Sequence, residues 1–167
     1  MNYPEDVYRL LPGVLVPQKV YTPPHNQANA ALYAPIRFST TINGAQVPGV
    51  RLQDALRGLL NGLNDANSHP TLSVTNNRVA LRILWPGYEG WHFSNAIDAG
   101  GQQHPRTLAH IANQVANRIN DFYREQRAVV GTEPDWNLRD IPFESLYLVE
   151  LRNVSAGSWQ PVICRHV

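Results

Sequence analysis

Cys164 and His166 are the pair of residues whose types and spacing come closest to a reactive centre. Residues two apart on a strand point to the same face, so the thiol and the imidazole would lie close enough to form a thiolate–imidazole pair. A pair this near the end of the printed chain is poorly shielded from water, and spacing alone is weak support for catalysis. We therefore interpret Cys164 as a buried edge-strand cysteine and predict no catalytic residue. An unfamiliar hydrolase is the least favoured alternative.

The six histidines do not form a recognisable metal-binding motif, since none is paired as H-x-x-x-H or H-E-x-x-H. His104 and His110 are six residues apart, which places them on different sides of a helix if both are helical. The single cysteine excludes a cysteine-based zinc site within one chain. We expect no metal and no other cofactor. A histidine-only zinc site assembled from distant loops is the alternative left open.

Two further patterns are weak indications of chemistry. Ser94 and Asp98 could join a histidine in a triad, but the chain has no G-x-S-x-G nucleophile elbow. Gly100-Gly101 precedes the longest predicted helix, and helix N-termini attract anions. However, neither G-x-x-x-x-G-K-[ST] nor G-x-G-x-x-G is present, and no lysine is near. We interpret the two glycines as a flexible connection.

Trp85, Tyr88 and Trp91 lie close together in a turn that is rich in proline and glycine. Aromatic side chains held in such a turn can form a rigid platform for a sugar, a proline-rich peptide or a partner protein. The alternative is packing, with Trp85 in the core and Tyr88 over the sheet edge. We favour packing, and keep this turn as the candidate binding site of a small-ligand or carbohydrate-binding protein.

Residues 1–35 are predicted to form a proline-rich extended arm. They hold six of the 13 prolines, which exclude a helix of more than one or two turns between them. The arm also carries apolar side chains that a free linker would lack, namely Val7, Leu10, Leu11, Val14, Leu15 and Val16. These residues are a candidate interface, because the arm could pack on its own domain or on a second copy. We favour a homodimer formed by exchange of the arm.

Residues 36–167 are predicted to form one α+β domain, with an antiparallel sheet and one long helix packed on one face. Alternating apolar residues predict strands at 36–42 and 78–85, and residues 91–97 are expected to form another. Residues 145–154 predict a long strand in a central position, because its first half is apolar on both faces. Asn43-Gly44 predicts a tight turn, and Asn76-Asn77 predicts a hairpin that pairs 71–75 with 78–85. Residues 159–164 are expected to form an edge or bulged strand, because Pro161 cannot donate a hydrogen bond to a ladder.

Two stretches have the periodicity of a helix. Residues 51–60 predict a short amphipathic helix, because their leucines recur at helical spacing. Residues 105–127 are the clearest element, with a start at His104-Pro105 and one apolar stripe: Leu108, Ile111, Ala112, Val115, Ile119 and Phe122. A single stripe predicts a single buried face, as for a helix that lies across one side of a sheet.

Three stretches stand out together: LRILWPGY at 81–88, PRTLAHIANQVANRINDF at 105–122 and LYLVELRNVSAGSWQP at 146–161. They combine a WPGY-type motif, a helix with a Pro/Ile-Thr-Arg-like start and a V-S-x-G-S-W-Q-P ending. In this order and spacing they resemble a family of small proteins abundant in mushroom-forming fungi, over residues 36–161. The family has no established activity. The resemblance therefore implies a fungal, non-secreted origin and assigns no functional residue.

The overall composition excludes several classes of protein. The formal net charge of +1 excludes a strongly basic nucleic-acid binder. No apolar run approaches the ~20 residues that a membrane span needs, and the first residues lack the features of a secretory signal. We expect a soluble intracellular protein, cytoplasmic or nuclear. We expect a non-enzymatic interaction or self-assembly module that binds a second copy or another protein, and neither nucleic acid nor a membrane.

The absence of a metal motif leads to a prediction about folding. A structural metal ion contributes directly to the free energy of folding, so its removal lowers the melting temperature. We expect a chelator to leave the melting temperature of the purified protein unchanged. A fall of several degrees, reversed by added zinc, would contradict this expectation.

Overall fold

The computed structural model describes residues 11–24, 32–90 and 93–167. Its strands are β1 (Val14–Leu15), β2 (Ile36–Arg37), β3 (Ser39–Ile42), β4 (Ala45–Pro48), β5 (Val50–Arg51), β6 (Arg78–Ile83), β7 (Phe93–Asp98), β8 (Gly100–Gly101), β9 (His104–Pro105), β10 (Leu146–Ser155) and β11 (Ser158–Arg165). The two α-helices within the described residues are α1 (Leu52–Leu56) and α2 (Leu108–Gln126). Three short 3-10 turns lie between α2 and β10. Val7, Leu10 and Trp91, which the sequence analysis singled out, lie outside the described residues.

One mixed sheet forms the centre of the molecule, with the strand order β2-β10-β11-β6-β7. β5 also pairs with β10, and β1 also pairs with β11. The pairings of this sheet are antiparallel, except that β6 runs parallel to β11 through Ser158↔Ala80 and Trp159↔Leu81. Two small hairpins, β3–β4 and β8–β9, lie outside this sheet. The α+β class predicted from the sequence is confirmed.

The predicted central strand, β10, lies inside the sheet. The last strand is not an edge, but the alternative of a bulged strand is supported, because the β10–β11 ladder is irregular between Leu148 and Glu150 and between Asn153 and Ser155. β11 lies between β10 and β6, and seven of its eight residues are buried. Along the side that faces β6, backbone pairing covers residues 158–159 and 164–165. Pro161 falls between these two stretches, so its missing N–H does not interrupt a backbone ladder on that side of the strand.

Helix α2 carries the predicted stripe, and all six of its stripe residues are buried. The helix begins later than predicted, because Thr107 is the N-cap and its Oγ1 accepts a hydrogen bond from the backbone N–H of His110 at 3.2 Å. Pro105 instead pairs with Gly100 in the β8–β9 hairpin. The buried face of α2 packs against β6, β7 and α1.

Two local predictions are corrected by tertiary contacts. β6 forms its hairpin with β7, and residues 71–75, which are within the described part of the chain, form no strand. Leu72 is buried there, and its carbonyl accepts a hydrogen bond from the indole of Trp159 at 3.1 Å. The predicted helix at 51–60 stops at Leu56, because Gly58 adopts a left-handed backbone that ends a helix.

The β3–β4 hairpin has the tight turn that its sequence predicts. Asn43 and Gly44 both have positive φ angles, of 51° and 80°, as the favoured two-residue turn requires. The predicted strand over 36–42 is divided at Phe38, which is buried in the core. Residues on its first part pair with β10, and residues on its second part form this hairpin.

Burial of the α2 stripe predicts the effect of truncating one of its side chains. Ile119 is 1% exposed, and Ile119→Ala should lower the free energy of unfolding by about 2–5 kcal/mol, because it leaves a cavity in the core. Urea denaturation followed by tryptophan fluorescence measures this change. Arg124→Ala on the exposed side of the same helix is the control, with an expected change within about 0.5 kcal/mol. An equally small change for Ile119→Ala would contradict the packing.

Candidate functional site

The two described residues of the candidate aromatic site, Trp85 and Tyr88, are buried and form no platform on the surface. Trp85 is 1% exposed, and its indole N–H donates to the carbonyl of Trp136 at 2.8 Å. Tyr88 is 3% exposed; its hydroxyl lies 2.9 Å from the carbonyl of Val129 and accepts from the backbone N–H of Leu138 at 3.2 Å. Both rings therefore anchor the chain that follows α2. Trp91 lies outside the described residues.

Three of the predicted interface residues on the arm, Val14, Leu15 and Val16, contact the last strand, β11. Val14 pairs with Arg165 and Leu15 with Cys164, in an antiparallel ladder. The ladder continues through the backbone N–H of Val16, which donates to the carbonyl of Ile163 at 2.9 Å. Val16 is buried, Leu11 and Leu15 are half-buried, and Val14 is exposed. We call this contact between residues 14–21 and β11 the arm seam.

The side-chain amide of Gln18 fills the gap in the arm seam where β6 and β11 separate. Its Nε2 donates to the carbonyl of Pro161 at 2.7 Å. Its Oε1 accepts from the backbone N–H of Leu84 at 3.1 Å. One amide thus bonds to backbone groups of two different segments. This satisfies polar groups that the interrupted ladder would leave without a partner.

Gln160 makes the reciprocal contact from β11 to the arm. Its side chain is completely buried, a position where an amide without partners would be strongly destabilising. The Nε2 of Gln160 donates to the carbonyl of Lys19 at 2.7 Å, and its Oε1 accepts from the backbone N–H of Tyr21 at 3.0 Å. We call the side chains of Gln18 and Gln160 the amide clamp, because each binds the backbone on the opposite side of the seam.

Side chains outside the amide clamp add weaker contacts along the arm. The guanidinium of Arg82 lies 4.3 Å from the centre of the Tyr21 ring, in a cation–π geometry. The ammonium of Lys19 lies 3.6 Å from a carboxylate oxygen of Glu89. Lys19 is largely exposed, so water and salt screen this ion pair. Most of the polar contacts therefore recognise the arm through its backbone.

No pattern in the sequence indicates the amide clamp, although the apolar residues of the arm around it are predicted as an interface. Gln18 and Gln160 are isolated glutamines, and neither belongs to a periodic pattern or a short motif. They are 142 positions apart (160 minus 18). The nearest signal in the sequence is Pro161, which marks a place where a ladder must be interrupted.

Two of the residues considered for covalent chemistry are buried or held in an ion pair, namely Cys164 and Asp98. Cys164 is completely buried, and burial raises the pKa of its thiol from 9.0 to about 12, so the nucleophilic thiolate is suppressed at neutral pH. His166 is exposed and lies beside the ring of Tyr147. Ser94 and Asp98 stand four residues apart along β7, and the carboxylate of Asp98 is paired with Arg106. Within the described residues, no group of three His, Cys, Asp or Glu side chains could hold a metal ion.

Comparison with known proteins identifies no relative: no protein-family model, no curated protein and no solved structure matches the chain. The resemblance to a fungal family therefore stays a prediction. None of the helices in the described parts of the chain is long and apolar enough to cross a bilayer.

The burial of Cys164 predicts its behaviour toward an alkylating reagent. A thiolate–imidazole pair would react with iodoacetamide rapidly at neutral pH, whereas a buried thiol reacts only after the chain opens. We expect no alkylation of the native protein at neutral pH, and modification of one thiol per chain in guanidinium chloride. Mass spectrometry of the intact chain measures both. Fast native modification that is lost in His166→Ala would restore the catalytic interpretation.

Proposed function

We propose that this protein is a non-enzymatic protein-interaction module that self-associates, and that its homodimer forms by exchange of the arm. The observation that supports this proposal is the arm seam, in which an extended segment is bound by a strand of the domain. The binding is a short β-ladder extended by the amide clamp. Addition of a strand to a sheet is a common way for proteins to recognise extended polypeptides.

The contacts of the arm seam would be the same in one chain and between two chains. The bonded atoms belong to residues about 140 positions apart, so neighbourhood in the sequence does not bring them together. Exchange of an identical segment between copies keeps every such contact, and changes only the connection between the segment and its domain. The concentration at which the dimer forms then depends on how that connection restricts the arm.

The chain between the arm seam and the domain is long enough for exchange. From Pro24 to Tyr33, whose backbone N–H donates to the Oδ1 of Asn153, the chain can extend to about 30 Å, at roughly 3.3 to 3.6 Å for each residue. A domain of this length has a radius of gyration of about 15 Å. The arm of one copy could therefore reach the β11 strand of another copy that lies beside it.

Exposed apolar side chains on the arm also support an intermolecular role. Val14 is 55% exposed and Val20 is 49% exposed, although both lie next to well-buried parts of the seam. Burial of apolar surface against a second copy would stabilise association by about 25 cal/mol for each Å² removed from water. A carbohydrate site at the aromatic turn has no comparable support, since Trp85 and Tyr88 are buried.

The register of the seam gives a direct test of exchange. Leu15 lies opposite the native Cys164, and cross-strand neighbours stand about 4.5 to 5.5 Å apart between Cα atoms, within the range of a disulfide. The Cys164 thiol is reachable only while the chain is open, so the full-length Leu15→Cys variant should form a disulfide with Cys164 when it is refolded from guanidinium chloride in a glutathione redox buffer. We expect a covalent dimer on a non-reducing gel, and a mass of two chains for the unmodified protein by light scattering at about 100 μM. That concentration corresponds to a free energy of association of about −5.5 kcal/mol.

The control for this experiment is Leu15→Cys combined with Cys164→Ala, which lacks the buried partner thiol. It should give no covalent dimer under the same conditions, because any remaining crosslink would come from surface collisions of the introduced thiol. A disulfide within one chain, together with a single-chain mass at about 100 μM, would show that the arm docks on its own domain and would overturn the proposal.

A further inference from the structure

A polar groove lies at the end of the sheet where β6 begins and β7 ends. It is bounded by residues 74–78 on one side and by the β8–β9 hairpin on the other, and its volume is about 630 Å³. Small-molecule sites have volumes of about 300 to 1,000 Å³. The groove shares no residue with the arm seam. Among the residues that line it, Val74 is the only large apolar one, so a ligand would have to be polar.

The base of the groove is held rigid by Gln114 of α2. The backbone N–H of Asp98 donates to the Gln114 Oε1 at 2.7 Å, and the Gln114 Nε2 donates to the Asp98 carbonyl at 2.9 Å. The Asp98 carboxylate then accepts from the backbone N–H of Gly100 at 2.8 Å and from the guanidinium of Arg106. The bond to Arg106 and the bond to Gly100 both lower the pKa of Asp98, so the carboxylate is charged at neutral pH.

The Asp98 carboxylate orients Arg106 but binds only two of its three guanidinium nitrogens. Both of its bonds, from Nε and from Nη2, end on the same oxygen of Asp98. Its Nη1 makes no hydrogen bond to any residue in the described parts of the chain, and the side chain is 40% exposed. An arginine fixed in this way can donate to a second anion with little further loss of conformational freedom.

Arg78 supplies a second guanidinium to the lining of the groove. It is the first residue of β6 and stands directly opposite Asp98 in the β6–β7 ladder. Arg78 is exposed, and its side chain forms no ion pair or hydrogen bond within residues 11–24, 32–90 and 93–167. Two arginines and one aspartate line the groove. Asp98 balances the charge of Arg106, so Arg78 leaves the groove with an excess of one positive charge.

The remaining polar side chains complete a lining that donates and accepts hydrogen bonds. They are Asn77, Gln102, Gln103 and His104. Gly101 lies against Asn77, and a Cβ at this position would stand 3.1 Å from the Asn77 Oδ1. The N-terminus of α2 does not contribute donors. The N–H groups of its first three residues are already bonded to Ser68 O, Ala66 O and Thr107 Oγ1.

From this arrangement we propose that the groove binds the phosphate group of a small polar molecule. Two guanidinium groups line the same groove, and a tetrahedral oxyanion can accept hydrogen bonds from several directions at once. The amide side chains would bond to hydroxyl groups of the rest of the molecule. The same phosphate chemistry could come from a free phosphate ion or from a phosphate ester such as a sugar phosphate.

Titration calorimetry of the full-length protein tests this proposal. The probes are inorganic phosphate, glucose 6-phosphate and glucose, each at the same low ionic strength. We expect one saturable site per chain for a phosphate-bearing probe, with a dissociation constant at or below about 1 mM. Arg78→Gln should weaken binding about tenfold or more, because it removes a charged hydrogen bond. Arg124→Gln is the matched control, on the exposed side of α2 and far along the helix from the groove, and should bind as the unmodified protein does.

The results show whether the groove binds phosphate and, if it does, whether the phosphate is a free ion or part of an ester. Tighter binding of glucose 6-phosphate than of inorganic phosphate would support an ester, and the reverse order would support the free ion. Equal loss in Arg78→Gln and Arg124→Gln would show general attraction to a positive surface, and would overturn the proposal. It would also be overturned if neither phosphate probe bound, or if glucose bound as tightly as its phosphate ester. Arg78 has no structural contact to lose, so its variant should keep the melting temperature of the unmodified protein.

Discussion

The position of β11 is the constraint on which the rest of the structure depends. This strand pairs with β10 along most of its length, with β6 at its start and with the arm at its end. Trp159 fixes its start, since the ring is fully buried, donates to the carbonyl of Leu72 and stacks on Tyr33 at 6.3 Å. Three separate parts of the chain are thus joined to one strand: β10 is its hairpin neighbour, whereas β6 and the arm come from distant parts of the sequence.

The interrupted pairing beside β11 explains why the arm belongs to the fold. Where β6 and β11 separate, backbone groups of Leu84 and Pro161 would face the interior without partners, and each unsatisfied group would cost about 1–3 kcal/mol. The amide of Gln18 satisfies both. The buried amide of Gln160 in turn requires the backbone of the arm. The arm is therefore recognised through its backbone and through the side-chain amide of Gln18, and an exchanged arm would bring both to a second copy.

Strand β6 connects the two proposed sites and also separates them. Arg78 at its first residue lies in the polar groove, whereas Arg82 and Leu84 contact the arm. Four to six residues of extended chain span roughly 13 to 20 Å. A small ligand in the groove would therefore not touch the arm seam, so self-association and phosphate binding can be measured independently.

Local patterns in the sequence determined the α2 stripe, the Asn43-Gly44 turn and the apolar face of β6, because helix, turn and strand periodicity depend on residues a few positions apart. Tertiary structure alone decided the place of β11, since Pro161 suits an edge or any interrupted ladder. It also decided the burial of Trp85 and Tyr88, whose composition fits a binding platform and a core equally well. The amide clamp and the facing of Arg78 and Asp98 depend on contacts between segments distant in the chain. A single glutamine or arginine has no periodicity that could reveal such a partner, so only the folded arrangement defines both sites.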